Sequence, residues 1–445
     1  MTRYTKLFIT FLLTAIVFKA GAQTTATTSS PYSQYGLGDL IPSILPQNQS
    51  MGGISTGINT ISSYASINPQ NPASYGAINF TVIDAGIYAN KLSLSQNGQP
   101  TQKNSNFRMN HVAFAIPVTH GSALSFGLLP YSQVGYNYTR SIKGYGSGSA
   151  VDTNATNYVY SGEGGLNKAY FGYGFTIARS FLFGVNASYI FGNIKHNQQV
   201  EMPELDGALN TSVERNNAIG GWNYDYGFQY VYDMSLTRHI ILGYSGSAGT
   251  SLNSKTSYIV SHYTFDVDGN RNVNIDSVIN QQNAQSKIQL PQVHHFGLSY
   301  QQDLKFLIGA DYSIGKWADL RVDGANAGMV NSSTFNLGGQ YTPNINSINN
   351  WLATLDYRFG IMLDNTYYNV PNSSGAGFTN IKAKSVNLGL GIPLRGSATS
   401  YYKLNLAAEF GQRGSLNNGL VKENFINFRL GFTLNDKWFQ RYKFD

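Results

Sequence analysis

The sequence predicts an all-β protein, a 14-stranded antiparallel transmembrane β-barrel. Three observations predict it. Apolar residues alternate with small or polar ones in run after run, and a helical stripe is hard to find. The apolar faces are aromatic and long, while the opposite faces carry Gly, Ser, Asn and isolated charges, which suits lipid outside and a polar interior. The connections between runs alternate between short and long.

The chain opens with a stretch that reads as a secretory signal over residues 1–22. Arg3 and Lys6 form its positive start, Leu7 to Phe18 its apolar run, and Ala20-Gly21-Ala22 a small-residue cleavage site that leaves Gln23 first. The apolar run is too short to span a bilayer as a helix. There is no cysteine, which excludes a disulfide framework and a lipoprotein anchor. The formal net charge is +7; loss of Arg3, Lys6 and Lys19 with the signal lowers it by three, to +4. The basic residues are scattered, so no nucleic-acid partner is expected. Only 12% of residues are charged, about half the usual fraction, against 47 Gly, 31 Tyr and 25 Phe. The expected location is a Gram-negative-type outer membrane, with the lipid bilayer as partner.

The barrel is expected over residues 78–445. Its strands are read at about 78–92, 107–118, 122–136, 168–178, 181–194, 222–236, 239–253, 288–301, 304–317, 333–342, 350–364, 383–394, 402–412 and 423–435. In the sixth, Tyr224, Tyr226, Phe228, Tyr230, Tyr232 and Met234 share one face against Asp225, Gly227, Gln229 and Asp233. In the eleventh, Trp351, Ala353, Leu355, Tyr357, Phe359, Ile361 and Leu363 oppose Thr354, Asp356, Arg358 and Gly360. The last two show the same pattern, with Leu404 to Phe410 and Ile426 to Leu434 as their apolar faces. Connections such as Arg179-Ser180 and Gln302-Asp303 are tight. Those after strands one, three, five, seven, nine and eleven are expected to run to about fifteen residues or more, as external loops do. The turn at 342–349 is longer than its class and the last loop, 413–422, shorter. Closure leaves no unpaired edge, which is how a sheet can cross lipid. The even count sets both termini in the periplasm. Trp438, Phe439 and Tyr442 suit an aromatic girdle there.

Residues 23–77 precede the alternation and are too many for a tail that merely begins a strand. They contain Tyr35-Gly36-Leu37-Gly38, Ser50-Met51-Gly52-Gly53-Ile54 and Asn71-Pro72-Ala73. With the strand count and the hairpin "AIPVTHGSALSFGLLPY" from Ala115 to Tyr131, this resembles the FadL/TodX family of outer-membrane transporters for hydrophobic compounds. The chain departs from that pattern in a duplicated Asn68-Pro69 and a terminal Asp445. The resemblance implies that 23–77 is a hatch, a plug inside the lumen, with Gly36, Gly38, Gly52, Gly53, Asn71, Pro72 and Ala73 in its gating stretches. It implies capture of a hydrophobic small molecule, such as a long-chain fatty acid or aromatic hydrocarbon, and lateral exit through the wall. Pro130, which cannot donate a ladder hydrogen bond, is the candidate for the strand kink beside that exit. Small residues let the plug pack against the wall, and Pro69 and Pro72 reduce the entropy lost on ordering it.

Inward charges at Asp225, Asp311, Arg358, Asp356, Glu409 and Arg429 are candidates for a ligand head group, although lumen charges commonly pair with each other or with a plug. Asp266, Asp268 and Asn270 have calcium-loop spacing, but Arg271 stands where that loop needs glycine and Ser277 where it needs glutamate, so an Asp-Gly turn is the expectation. His294 and His295 face opposite sides of a strand and cannot share a metal. No hydrolase or zinc-protease motif occurs, and no cofactor, metal or enzyme activity is expected. The alternative to transport is a barrel that docks a partner or serves secretion machinery, with accessory envelope proteins.

Overall fold

The computed structural model describes residues 30–437, apart from 60–64, 145–153, 273–275, 397–399 and positions 206, 267, 374, 376 and 395. The signal, the start at Gln23 and the girdle residues Trp438, Phe439 and Tyr442 lie outside the described residues.

The barrel strands are β1 Thr81–Ser95, β2 Gln102–Thr119, β3 Ser122–Lys143, β4 Ala155–Ile177, β5 Phe181–Glu201 and β6 Asn210–Ser235. β7 is Arg238–Ser247 continued by Ser251–Tyr263, and β8 is Asp276–Gln289 continued by Val293–Gln302. Then follow β9 Phe306–Gly315, β10 Ser332–Tyr341, β11 Asp356–Pro371, β12 Phe378–Leu394, β13 Ser400–Arg413 and β14 Lys422–Asp436. Neighbours are antiparallel, and β14 pairs with β1 from Lys422↔Ser95 to Asp436↔Thr81, which closes the barrel. The outward positions form an apolar belt, with Phe107, Phe171, Val185, Phe359 and Phe428 more than half exposed. Such a surface is stable only against lipid or a covering partner.

Two expectations are corrected. Most of the connections expected at about fifteen residues are shorter, for example those between Ser95 and Gln102 or between Glu201 and Asn210, because strands run on at this end. Outside lipid a paired strand needs no apolar face, so the extensions carry no alternation to read. The eleventh strand starts at Asp356: Trp351–Thr354 is a 3-10 turn, capped when the Asn350 side chain accepts from the Leu352 N–H at 3.1 Å. We call the end with tight connections the turn end and the other the loop end.

The described residues of the stretch 30–80 lie within the barrel, nearly all of them buried or half-buried. The path starts at the loop end, where a 3-10 turn, Pro31–Gln34, and a short strand, Asp39–Leu40, meet β3. It finishes at the turn end with the 3-10 helix Pro72–Ala77. One hydrophobic cluster joins Tyr32 and Leu37 to wall residues such as Val134, Leu166 and Tyr368; a second holds Leu45, Ile67 and Tyr75.

Candidate functional site

The lumen is built from inward strand positions and from the N-terminal segment. Where the segment's backbone comes closest to the wall, several wall positions are glycine. A Cβ on Gly338 or Gly360 would overlap the Met51 backbone, and one on Gly174 or Gly184 would overlap Pro72. Gly52 answers from the segment's side: its φ is +73°, and a Cβ would lie 2.8 Å from the Ile361 backbone. Gly38, at φ +89°, is seated in the same way against Gln133 of β3.

Polar side chains fasten the segment. Asp311 accepts the Ser55 and Thr56 N–H groups at 2.8 and 2.7 Å. Gln229 donates to the Thr56 and Ile58 carbonyls, and Ser299 to that of Gly57. Asn71 has extended backbone before Pro72; its Oδ1 accepts the Ala73 N–H at 3.1 Å and its Nδ2 donates to Thr56 O at 2.7 Å. One amide thus caps the helix that leads into β1 and ties it to the preceding loop. At the loop end Arg413 donates to Asp39 at 2.8 and 3.2 Å, to Glu423 at 2.6 Å and to Ser30 at 2.7 Å. Tyr368 also donates to Asp39, at 2.5 Å.

The inward charges sort into two kinds. Asp356 accepts from Arg358 at 3.0 Å and Thr342 at 2.7 Å and is paired with Lys403; Arg358 also donates to Gln340 and Asn405. This network is closed and lies apart from the cavity, so the structure does not put Asp356 and Arg358 where a ligand head group would meet them. Their pairing satisfies each buried charge locally. Replacing Asp356 by alanine would leave Arg358 and Lys403 as unbalanced buried cations, with an expected loss of about 3–5 kcal/mol, measured by urea unfolding in detergent. An Asp356→Ala barrel as stable as the parent would rule out that role. Glu409 and Arg429 do line the cavity, paired to each other at 2.9 Å, with Asn427 donating to Glu409 at 3.0 Å.

The cavity between segment and wall has a volume of about 430 Å³. Its lining mixes Leu40, Ile44 and Tyr131 with Asn90, Asn106 and Arg108. Arg108 is one of the polar lining groups that reading the sequence missed. It points inward between Phe107 and Met109, which are 68% and 56% exposed, and lies over the Tyr88 ring at 4.3 Å. Its Nε and Nη1 are buried without an acceptor among the described residues. Phase alone could have found it: an arginine between two belt positions must face the lumen.

One side of the cavity coincides with an interruption of the wall. β2 and β3 pair between Val112↔Leu128 and Thr119↔Ser122 and no further. Beyond that point β2 pairs only with β1 and β3 with β4, while Asp39 and Leu40 bridge to Gln133 and Ser132 of β3. Pro130 stands two residues past the last β2 partner, at a register shift in the β3–β4 ladder.

Elsewhere, Asp266 accepts the Asp268 and Asn270 N–H groups at 3.0 and 2.8 Å, which holds its carboxyl below the usual range and occupies the spacing that suggested calcium. His294 meets Tyr244, whereas His295 meets Gln70 and Ser313 beside the cavity. Among the described residues no group of three His, Cys, Asp or Glu could hold a metal ion.

A family model described as BamG matches residues 4–445. Similar solved structures include the toluene transporter TodX of P. putida, with 14% identity, TM-score 0.59, and 90% of this chain and 100% of that chain covered. A Pseudomonas aeruginosa FadL homologue is 11% identical with TM-score 0.55, covering 90% and 99%. The CymD monoaromatic hydrocarbon channel is 11% identical with TM-score 0.51, covering 91% and 100%. At these identities the likeness is one of fold. No curated protein matches by sequence.

Proposed function

The chain belongs to the BamG family, and we propose that it is an outer-membrane channel for hydrophobic small molecules, with exit sideways through the wall. The observation that carries the reading is the coincidence of the cavity with the unpaired reach of β2 and β3. A molecule in the cavity has Asn106 and Arg108 of β2 on one side of the interruption and Tyr131 and Gln133 of β3 on the other. The apolar belt begins just outside, at Phe107 and Met109, so a greasy ligand leaving there never crosses water. Pro130 keeps β3 from re-forming the ladder at that height. The N-terminal segment acts as the hatch, with Asp39 and Leu40 as the part nearest the exit. The named transporters and channels of like fold add support by analogy alone. Loops outward and turns in the periplasm complete the picture, with an exported mature chain from Gln23.

The packing of the segment favours a second reading. The lumen is filled from both ends by buried clusters, as it would be in a barrel that docks envelope partners and moves no solute.

Uptake separates the two. In a transporter-deficient host the parent is expected to move toluene or a long-chain fatty acid. Asn71→Ala with Pro72→Ala removes the cap and the fixed φ while all fourteen strands keep their ladders, so insertion should be normal and uptake several-fold slower, of the order that loss of about 1 kcal/mol implies. A parent that moves none of these compounds sinks the channel in favour of docking. Equal uptake by parent and double variant reduces the motif to a connector.

A further inference from the structure

The outward positions of β11–β14, β1 and β2 can be followed rank by rank through the ladders. Phe107, Ala89, Phe428, Ala408, Leu388 and Phe359 are register partners in succession and are all apolar. Two residues nearer the loop end, about 7 Å along the strands, the rank contains Lys91 beside Ile426, Phe410 and Val386. Two residues further it reads Lys103, Ser93, Asn424, Gln412 and Lys384. Lys422 and Lys382 follow, opposite Ser95 and Asn365. The apolar belt therefore ends in a crescent of five lysines.

No acid accompanies them. At the loop-end half of these six strands the acids Asp364, Glu409 and Glu423 face the lumen, and the connecting loops 96–101, 372–377 and 414–421 contain none. No ion pair joins any of the five lysines to a carboxylate among the described residues. The opposite wall differs: Glu163 stands across from Lys195, and the loops there carry Glu204 and Asp266.

We propose that this crescent is a docking surface for lipids whose head groups carry phosphate monoesters, in the leaflet at the loop end. Lysines just above an apolar belt place point charges at head-group depth, their stems lying along the belt. A phosphate monoester offers up to two negative charges and three acceptors to such donors. Lys103 and Lys384 are four strands apart, roughly 19 Å, which suits a head group with more than one phosphate or two lipids side by side. The inference rests on the bilayer placement proposed above but not on transport.

The test uses the full barrel in nanodiscs of phosphatidylcholine doped with diphosphorylated lipid A, followed by native mass spectrometry of retained lipid. The parent should retain the phosphorylated lipid. Lys91→Gln, Lys103→Gln and Lys384→Gln together should lose about tenfold of it, the scale expected when several interfacial lysines are removed. Lys195→Gln, Lys255→Gln and Lys287→Gln on the opposite wall should lose none. Equal retention by the crescent variant, or of the dephosphorylated lipid by the parent, overturns the proposal. Displacement by millimolar inorganic phosphate would also overturn it, in favour of a free-anion site. A barrel that retains the lipid yet moves no hydrocarbon counts against the channel alone.

Discussion

Deleting residues 23–76 is expected to turn a nearly closed barrel into an open pore, with single-channel conductance in planar bilayers rising at least about fivefold. The segment covers the polar inner face of the wall. Asp311 accepts hydrogen bonds from it, Gln229 and Ser299 donate to it, and inward glycines leave space that it fills. With the segment gone, those groups would face water and line a polar lumen. The ladders do not involve it apart from Asp39 and Leu40 on β3, so the closed sheet has its own reason to persist. Heat-modifiable migration on gels would verify that the truncated barrel has formed. A formed barrel with unchanged conductance would mean that the lumen is sealed by the loop-end cluster around Val134, Leu166 and Ile190, and that the segment is not the plug.

How far the sequence could be read follows from where lipid imposes a pattern. Tyr224 to Met234 or Ile426 to Leu434 alternate because one side of the strand meets hydrocarbon, and that constraint is written residue by residue. The reach of β4 back to Ala155 and of β6 back to Asn210 has no such constraint and left no periodic trace. The start of β11 was misread for a related reason: Trp351 is exposed and apolar at the rim and stands in phase with Ala353 and Leu355, so the stretch imitates a strand while the backbone turns. At the site, the prolines and glycines of the segment were legible as special backbone, but their seats were not. Gly338 and Gly360 look like any small inward residue until Met51 is placed against them. The charges were legible as inward and as prone to pair, but the partners were not, because Asp356 finds Lys403, and Arg413 finds Asp39, across long separations. The interruption between β2 and β3 is a property of two strands jointly, and Pro130 hinted at one of them.

Gly360→Val should have the second-largest effect, since it attacks the seat and not the segment. The valine branches at Cβ, the atom that at position 360 would already overlap the Met51 carbonyl and the Gly52 nitrogen. Neither side can yield cheaply. Gly360 pairs with Gly338 on β10 and with Asn387 on β12, so moving it breaks two ladders. Gly52 sits at positive φ against Ile361, which leaves its backbone little choice of path. The segment is the weaker party, held locally by a few hydrogen bonds worth about 1 kcal/mol each, so it should leave its seat while the barrel closes normally. Expected signs are a conductance approaching that of the truncated barrel and rapid proteolytic cutting near Gln49–Gly53, in a protein whose gel migration is still heat-modifiable. Gly360→Ala should show the same direction with smaller amplitude. Valine at a position in contact with lipid, such as Ala89, is the matched control and should change nothing. If Gly360→Val leaves both conductance and proteolysis as in the parent, the contact with Met51 is not what holds the segment in the lumen, and the anchors at Asp311 and Arg413 must suffice without it.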